Sequence, residues 1–165
     1  MKHKVAIVGA AESDQIGTVP HMSQIALAAN AALGSLRDAG LALKDIDGIA
    51  TAGESPATVA HYLGITPRWL DGTLVGGCSF LLHVRHAAAA IAAGYCETVL
   101  VVHAESGRSR IAHSPLPWPP PKASLPGQFE APFGGISTPT LFTLPVMRYL
   151  HQYGLGREAL AEVVV

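Results

Sequence analysis

Residues 74–106, LVGGCSFLLHVRHAAAAIAAGYCETVLVVHAES, decide how this chain folds. A Gly76-Gly77 turn runs straight into a small-residue helix, expected over Ser79–Ala93, with Cys78 at its mouth and Gly94 as its stop. After Gly94 comes a near-continuous apolar run, Thr98–His103, the pattern of a strand covered on both faces. Its four alanines in a row, Ala87–Ala90, let a helix approach a sheet closely, so the helix is expected to lie buried between layers. A thiol at a helix N-terminus faces unpaired backbone N–H groups and the positive end of the helix dipole. That setting favours the thiolate and is one way to build a nucleophile for acyl transfer. A cysteine packed as a small hydrophobe is the structural alternative.

Outward from this stretch, the same alternation continues. Lys4–Val8 reads as a buried strand, and Ser23–Ala39 as a helix capped by Ser23 and stopped by Gly40. Its apolar face is Ile25, Ala28, Ala29, Ala32, Leu33 and Leu36. Asp45–Thr51 turns into a second strand, Ser55–Leu63 is a short helix with Pro56 at its first position, and Thr73–Val75 makes a third short strand. Strands alternating with helices predict an α/β layered fold with a mostly parallel sheet covered by helices. Residues 107–145 break the pattern with nine prolines, Pro115 to Pro145, and with Trp118, Phe129, Phe133 and Phe142 interleaved. A stretch that long without a periodic element is expected to be a Pro-rich loop subdomain or lid. Trp118-Pro-Pro-Pro121 also has the look of a polyproline ligand segment. A helix over Leu144–Tyr153 and another from Arg157 to Val165 follow. The expected organisation is an α/β core over 1–106, the Pro-rich segment over 107–145, and helices over 146–165 leading into a missing remainder.

Composition excludes several classes. The chain is 49% hydrophobic and only 14% charged, about half the usual charged share of ~25%, so disorder is not expected. A net charge of −1 with no basic run gives no footprint for nucleic acid or anionic lipid. Two cysteines make neither a disulfide framework nor a zinc site, which predicts a reducing, cytoplasmic setting. The apolar stretch near the start, Val5–Ala11, is broken by Gly9 and closed by Glu12, too short for a signal peptide or a membrane span. Neither a dinucleotide fingerprint nor a P-loop occurs. His83 and His86, three apart on the central helix, read as surface or packing histidines rather than metal ligands.

KVAIVGAAES, SLRDAGLALKDIDGIAT, GG-C-S with HAAAAIAAGYCETVLVVHAES, and RYLHQYGLGREALAEVVV follow one another in this chain. In that order and spacing they resemble the N-terminal half of thiolase-superfamily proteins, and most of all the thiolase domain of sterol-carrier-protein-x and its lipid-transfer-protein relatives. The resemblance covers nearly the whole chain. It implies a protein more than twice this long, built from two similar halves, of which the second supplies a His motif and a second Cys motif. It implies an acyltransferase acting on a 3-oxoacyl-CoA, with the coenzyme A thioester as substrate and no other cofactor. A homodimer paired through Thr98–His103 goes with it.

On this resemblance the catalytic residue is Cys78. Gly77, Ser79, Phe133 and Phe142 line the thioester site, and Glu105-Ser106 support the nucleophile turn. Counting back from Gly94, however, the family's nucleophile position falls on Gly77, and Cys78 stands one residue late. One residue turns a helical side chain by about 100°. Two implications stay open: the turn absorbs the offset, or the nucleophile has been lost. The second matches the steroid side-chain aldolases of the lipid-transfer-protein group, which cleave a C–C bond of a 3-hydroxyacyl-CoA with a small OB-fold partner. A non-catalytic acyl-CoA-binding or scaffold subunit is the third reading.

Overall fold

The structure, a computed structural model, describes residues 5–109, 120–135 and 137–163. The chain divides into two compact units, Met1–Ser114 and Pro115–Val165.

In the first unit, α1 spans Gln24–Ala39 and starts where Ser23 accepts the Ala26 N–H. It ends at Gly40, whose φ of 68° is the left-handed region that favours glycine, and Leu41 N–H returns to the Leu36 carbonyl. Strand β1 is Gly48–Thr51, helix α2 is Pro56–Leu63, strand β2 is Trp69–Gly72, helix α3 is Ser79–Ala92, and strand β3 is Val99–Val102. The sheet is parallel throughout, in the order β2-β1-β3, with Gly48 opposite both Trp69 and Val99. β1 is buried at all four positions, as a central strand covered on both faces must be. The core joins Ala28, Ala32 and Leu36 of α1 to Ile49, Val59, Ala60, Leu100 and Val102. This is the α/β fold with a helix-covered parallel sheet that the alternation predicts.

Four local readings change. The buried face of α1 centres on Ala28, Ala32 and Leu36, with Leu27 inward and Leu33 exposed, because the i, i+4, i+8 row meets the sheet. The third strand lies at Trp69–Gly72 rather than Thr73–Val75. Arg68 N–H and Trp69 N–H both reach the Asp47 carbonyl and start the ladder there, which overrides the weak strand preference of Asp71 and Gly72. Residues 5–10 form no strand although their sequence is strand-like; Ile7 is 78% and Val8 61% exposed. Lys4 lies outside the described residues. Finally, α3 is not enclosed between layers. It buries one face, Ser79, His83, Ala87 and Ala90, and leaves Phe80, Leu81 and Val84 exposed, since no second layer covers its outer side among the described residues. The buried face still constrains volume: Ala90→Leu should cost about 1–3 kcal/mol by overpacking, read from urea unfolding midpoints.

In the second unit, Ser124 caps the short helix α4, Leu125–Phe129, and a 3-10 turn follows at Ala131–Phe133. Helix α5 runs Thr138–Tyr153 and α6 Glu158–Ala161. The helix expected from Leu144 therefore begins six residues earlier, with Pro139 in its first turn and Pro145 inside it. Proline suits a first turn but deprives a helix interior of one bond, which is why the sequence pattern conceals the continuity. The expected irregular stretch 107–145 thus holds helix in its described part, while Pro115, Pro117, Trp118 and Pro119 lie outside the described residues, as does the end of the last expected helix at Val164 and Val165.

Candidate functional site

Because all three strands are parallel, their C-terminal ends share one edge of the sheet, the edge at which open α/β sheets hold ligands. Residues that follow each strand converge there. Thr73 extends β2, its N–H reaching the Thr51 carbonyl, and its hydroxyl meets His83 Nε2 at 2.7 Å. The strand end is thereby tied to the second turn of α3, and the intervening turn, residues 74–78, stands on that tie.

The turn itself is held by Ser79. Its hydroxyl donates to the Gly76 carbonyl at 2.8 Å and accepts the Val75 N–H at 3.1 Å, and the Ser79 side chain is fully buried. Gly76 sits at φ 81°, where a side chain would be strained. A Cβ added to Gly77 would meet nothing within 4 Å, so the position opens on free space. Cys78 is exposed at the N-cap of α3. Its thiol caps no helical N–H; it turns back and donates to the Val75 carbonyl at 3.4 Å. Gly77, Cys78 and Ser79 are thus brought together at the helix mouth, with only the serine inward. Phe133 and Phe142 are 77% and 66% exposed in the second unit, on the 3-10 turn and on α5.

Beyond β3, His103 Nδ1 donates to the Ala52 carbonyl at 2.6 Å, and its ring lies 5.0 Å from that of Phe80. Its Nε2 is 3.4 Å from Glu105. A cavity of about 300 Å³ beside them is lined by Glu12, Ser13, Gln15, His103 and Glu105. Ser106 is buried, and its hydroxyl finds no partner among the described residues. His86 Nδ1 pairs with Asp71 at 2.6 Å, a half-exposed pair on α3 and β2. Among the described residues no group of three His, Cys, Asp or Glu side chains is placed to hold a metal ion.

Sequence reasoning found the helix mouth but missed Thr73, Asp71 and the role of His83. Their signal is spacing: Thr73 and His83 are ten apart across one strand–turn–helix unit, and Asp71 and His86 fifteen. His83 is wholly buried, as its packing reading requires, and its Nδ1 has no partner among the described residues. Burial pushes its pKa below the ordinary 6.5, against an opposing pull from Asp71 and with smaller contributions from His86 and His103. The sign follows. Above pH ~6.5 both folded and unfolded imidazoles are neutral and nothing changes. Below it the unfolded chain takes up a proton that the folded one resists, so stability falls, by at most about 1.4 kcal/mol per pH unit for one group. Urea unfolding at pH 7.5 and 5.5 should show this loss, and His83→Gln should flatten it.

No family model matches the chain. It is 25% identical to an acetyl-CoA acetyltransferase of Methanothermobacter thermautotrophicus (strain Delta H), over 98% of this chain and 43% of that protein. Among solved structures, the Ltp2-ChsH2(DUF35) aldolase is similar over 90% of this chain and 40% of its own, at TM-score 0.65 and 28% identity. A monomeric SCP2-thiolase-like protein type 1 from Mycobacterium smegmatis matches 58% of this chain and 22% of its own, at TM-score 0.49 and 31% identity. The chain spans about two fifths of the length of the first two. Its fold is thiolase-like, and it resembles the acetyl-CoA acetyltransferase in sequence and the aldolase in both sequence and fold. Among the described residues no helix is long and apolar enough to cross a membrane.

Proposed function

We propose that a polypeptide of the relatives' length carrying this chain makes or breaks a C–C bond of a 3-hydroxyacyl-CoA by retro-aldol chemistry, without a cysteine nucleophile. A base removes the 3-hydroxyl proton and the C2–C3 bond breaks. Its electron pair moves onto the thioester as an enolate, and a proton at C2 completes a shorter acyl-CoA beside a ketone or aldehyde. No oxidant and no free coenzyme A enter the balance. The observation that carries this reading is the helix mouth. The position that the thiolase pattern assigns to the nucleophile is Gly77, and the neighbouring thiol is turned onto the Val75 carbonyl. The likeness to the aldolase over 90% of this chain supports it independently. The uncapped first turn of α3 offers backbone N–H groups to an enolate oxygen. Coenzyme A is then part of the substrate, not a resident cofactor. A second subunit belongs to the same reading, since that aldolase is named as a complex; so does a homodimer.

Thiolase-type acyl transfer through Cys78 is the second reading, favoured by the exposure of that thiol at the C-terminal edge of the sheet. In it Gly77 and Ser79 would line the thioester site. Thiolysis consumes one free coenzyme A per bond broken, and retro-aldol cleavage consumes none. Cleavage of a 3-hydroxyacyl-CoA without free coenzyme A, set against cleavage of a 3-oxoacyl-CoA that requires it, therefore separates the two.

A further inference from the structure

Proton transfer at the helix mouth needs a base that stands where the sheet ends, and the described residues place His83, His86 and His103 around α3. The helix runs from the C-terminal edge of the sheet back along the strands. At 1.5 Å per residue, His83 therefore lies about 6 Å and His86 about 10 Å in from Ser79. His83 is wholly buried with its Nε2 on Thr73, and His86 is held by Asp71 within β2. Of the three, His103 stands at the edge itself, directly after the last residue of β3. We propose that His103 is the general base and acid of the retro-aldol reading above, on which this assignment rests, and that Nε2 is the atom that moves the proton.

The ring is set for that role. Its Nδ1 donates to the Ala52 carbonyl at 2.6 Å, so a backbone group just past the end of the neighbouring strand β1 fixes which nitrogen carries the hydrogen. In the neutral ring Nε2 then keeps its lone pair. His103 and Glu105, whose carboxylate is 3.4 Å from Nε2, both line the cavity of about 300 Å³. Phe80, in the first turn of α3, packs against the ring at 5.0 Å, which sets the imidazole beside the turn whose N–H groups would hold an enolate oxygen. In a 3-hydroxyacyl thioester the hydroxyl lies close to the thioester oxygen, so the base belongs beside that same turn. Nε2 takes the 3-hydroxyl proton, the oxygen's freed pair forms the new C=O bond, and the C2–C3 pair passes into the enolate. The imidazolium so formed donates from both nitrogens, to the Ala52 carbonyl and to the Glu105 carboxylate, and is stabilised by groups already in place. Nε2 then delivers its proton to C2, which restores the ring and consumes no co-reactant.

His103→Asn separates chemistry from support, since the Asn amide keeps an N–H for the Ala52 carbonyl and offers no basic atom. In the full-length polypeptide it should lower kcat for 3-hydroxyacyl-CoA cleavage about 10²- to 10⁴-fold, with KM within about threefold of the parent's. Its urea unfolding should match the parent's. A second readout needs no variant and decides alone if His103→Asn does not fold. Diethylpyrocarbonate should modify His103 of the parent, mapped by mass spectrometry, and a saturating short acyl-CoA should slow that modification at least ~tenfold. Buried His83 should stay unmodified throughout. A His103→Asn variant that keeps kcat within about threefold overturns the assignment and leaves the retro-aldol reading standing. Modification that acyl-CoA does not slow overturns it equally. A parent that cleaves no 3-hydroxyacyl-CoA overturns the retro-aldol reading and the assignment with it.

Discussion

Given a 3-hydroxyacyl-CoA and no free coenzyme A, the full-length polypeptide should release a shorter acyl-CoA and a ketone or aldehyde at least ~10⁶-fold faster than the uncatalysed reaction. Adding free coenzyme A should change that rate by less than about twofold, because the retro-aldol balance contains none. Cys78→Ala should keep turnover within about threefold. A covalent nucleophile behaves otherwise: its removal costs on the order of 10³- to 10⁶-fold. Coupled chromatography of the acyl-CoA product gives both rates. No cleavage of the 3-hydroxyacyl-CoA, with cleavage of a 3-oxoacyl-CoA that depends strictly on free coenzyme A and collapses on Cys78→Ala, would install the thiolase reading. Iodoacetamide adds a check independent of turnover. Exposed Cys78 should label far faster than Cys96, which is buried and whose pKa burial raises, with a further push from Asp47.

The parts of this fold that the sequence discloses are those set by local chemistry. Ser23 and Gly40 bound α1, Pro56 opens α2, and the Gly76-Gly77 turn delivers the chain into α3, each through a residue whose preference needs no distant partner. The run Thr98–His103 announces β3 in the same way. What stays hidden depends on partners far along the chain. Trp69–Gly72 has little strand character of its own and becomes β2 because the Asp47 carbonyl receives its first amides. Val5–Val8 has strand character and forms none, because no strand lies beside it among the described residues. Pro145 conceals the length of α5. At the site, position was legible and orientation was not. The sequence puts Cys78 at the mouth of α3, but only the bonds made by Ser79 and Cys78 reveal that the serine is turned inward and the thiol back toward Val75.

Asp47 is the residue on which the largest loss of stability is expected, because the starts of all three strands meet on it. Its carboxylate accepts the Glu97 N–H at 2.9 and 3.0 Å and the Thr98 N–H at 2.9 Å, fifty residues away. Its carbonyl receives Arg68 and Trp69, and its own N–H reaches the Thr98 carbonyl. Hydrogen bonds to a charged acceptor contribute about 1.5–3 kcal/mol each, less where water competes, and the Thr98 amide is half-buried. Asp47→Ala should therefore destabilise the protein by about 2–4 kcal/mol in urea unfolding. Asp47→Asn, which keeps one carbonyl oxygen at the same place, should recover roughly half. The ion pair with Arg68, 3.7 Å long and largely exposed, adds little, so Arg68→Ala should cost under about 0.5 kcal/mol. A second readout separates loss of this clasp from general weakening. Cys96 packs under Gly48, where an added Cβ would lie 3.3 Å from its sulfur, so loosening the Asp47 clasp exposes that thiol locally. Asp47→Ala should raise iodoacetamide labelling of Cys96 at least tenfold under native conditions. Unchanged labelling and a loss below 1 kcal/mol would mean that the strand starts are held by the sheet ladder alone.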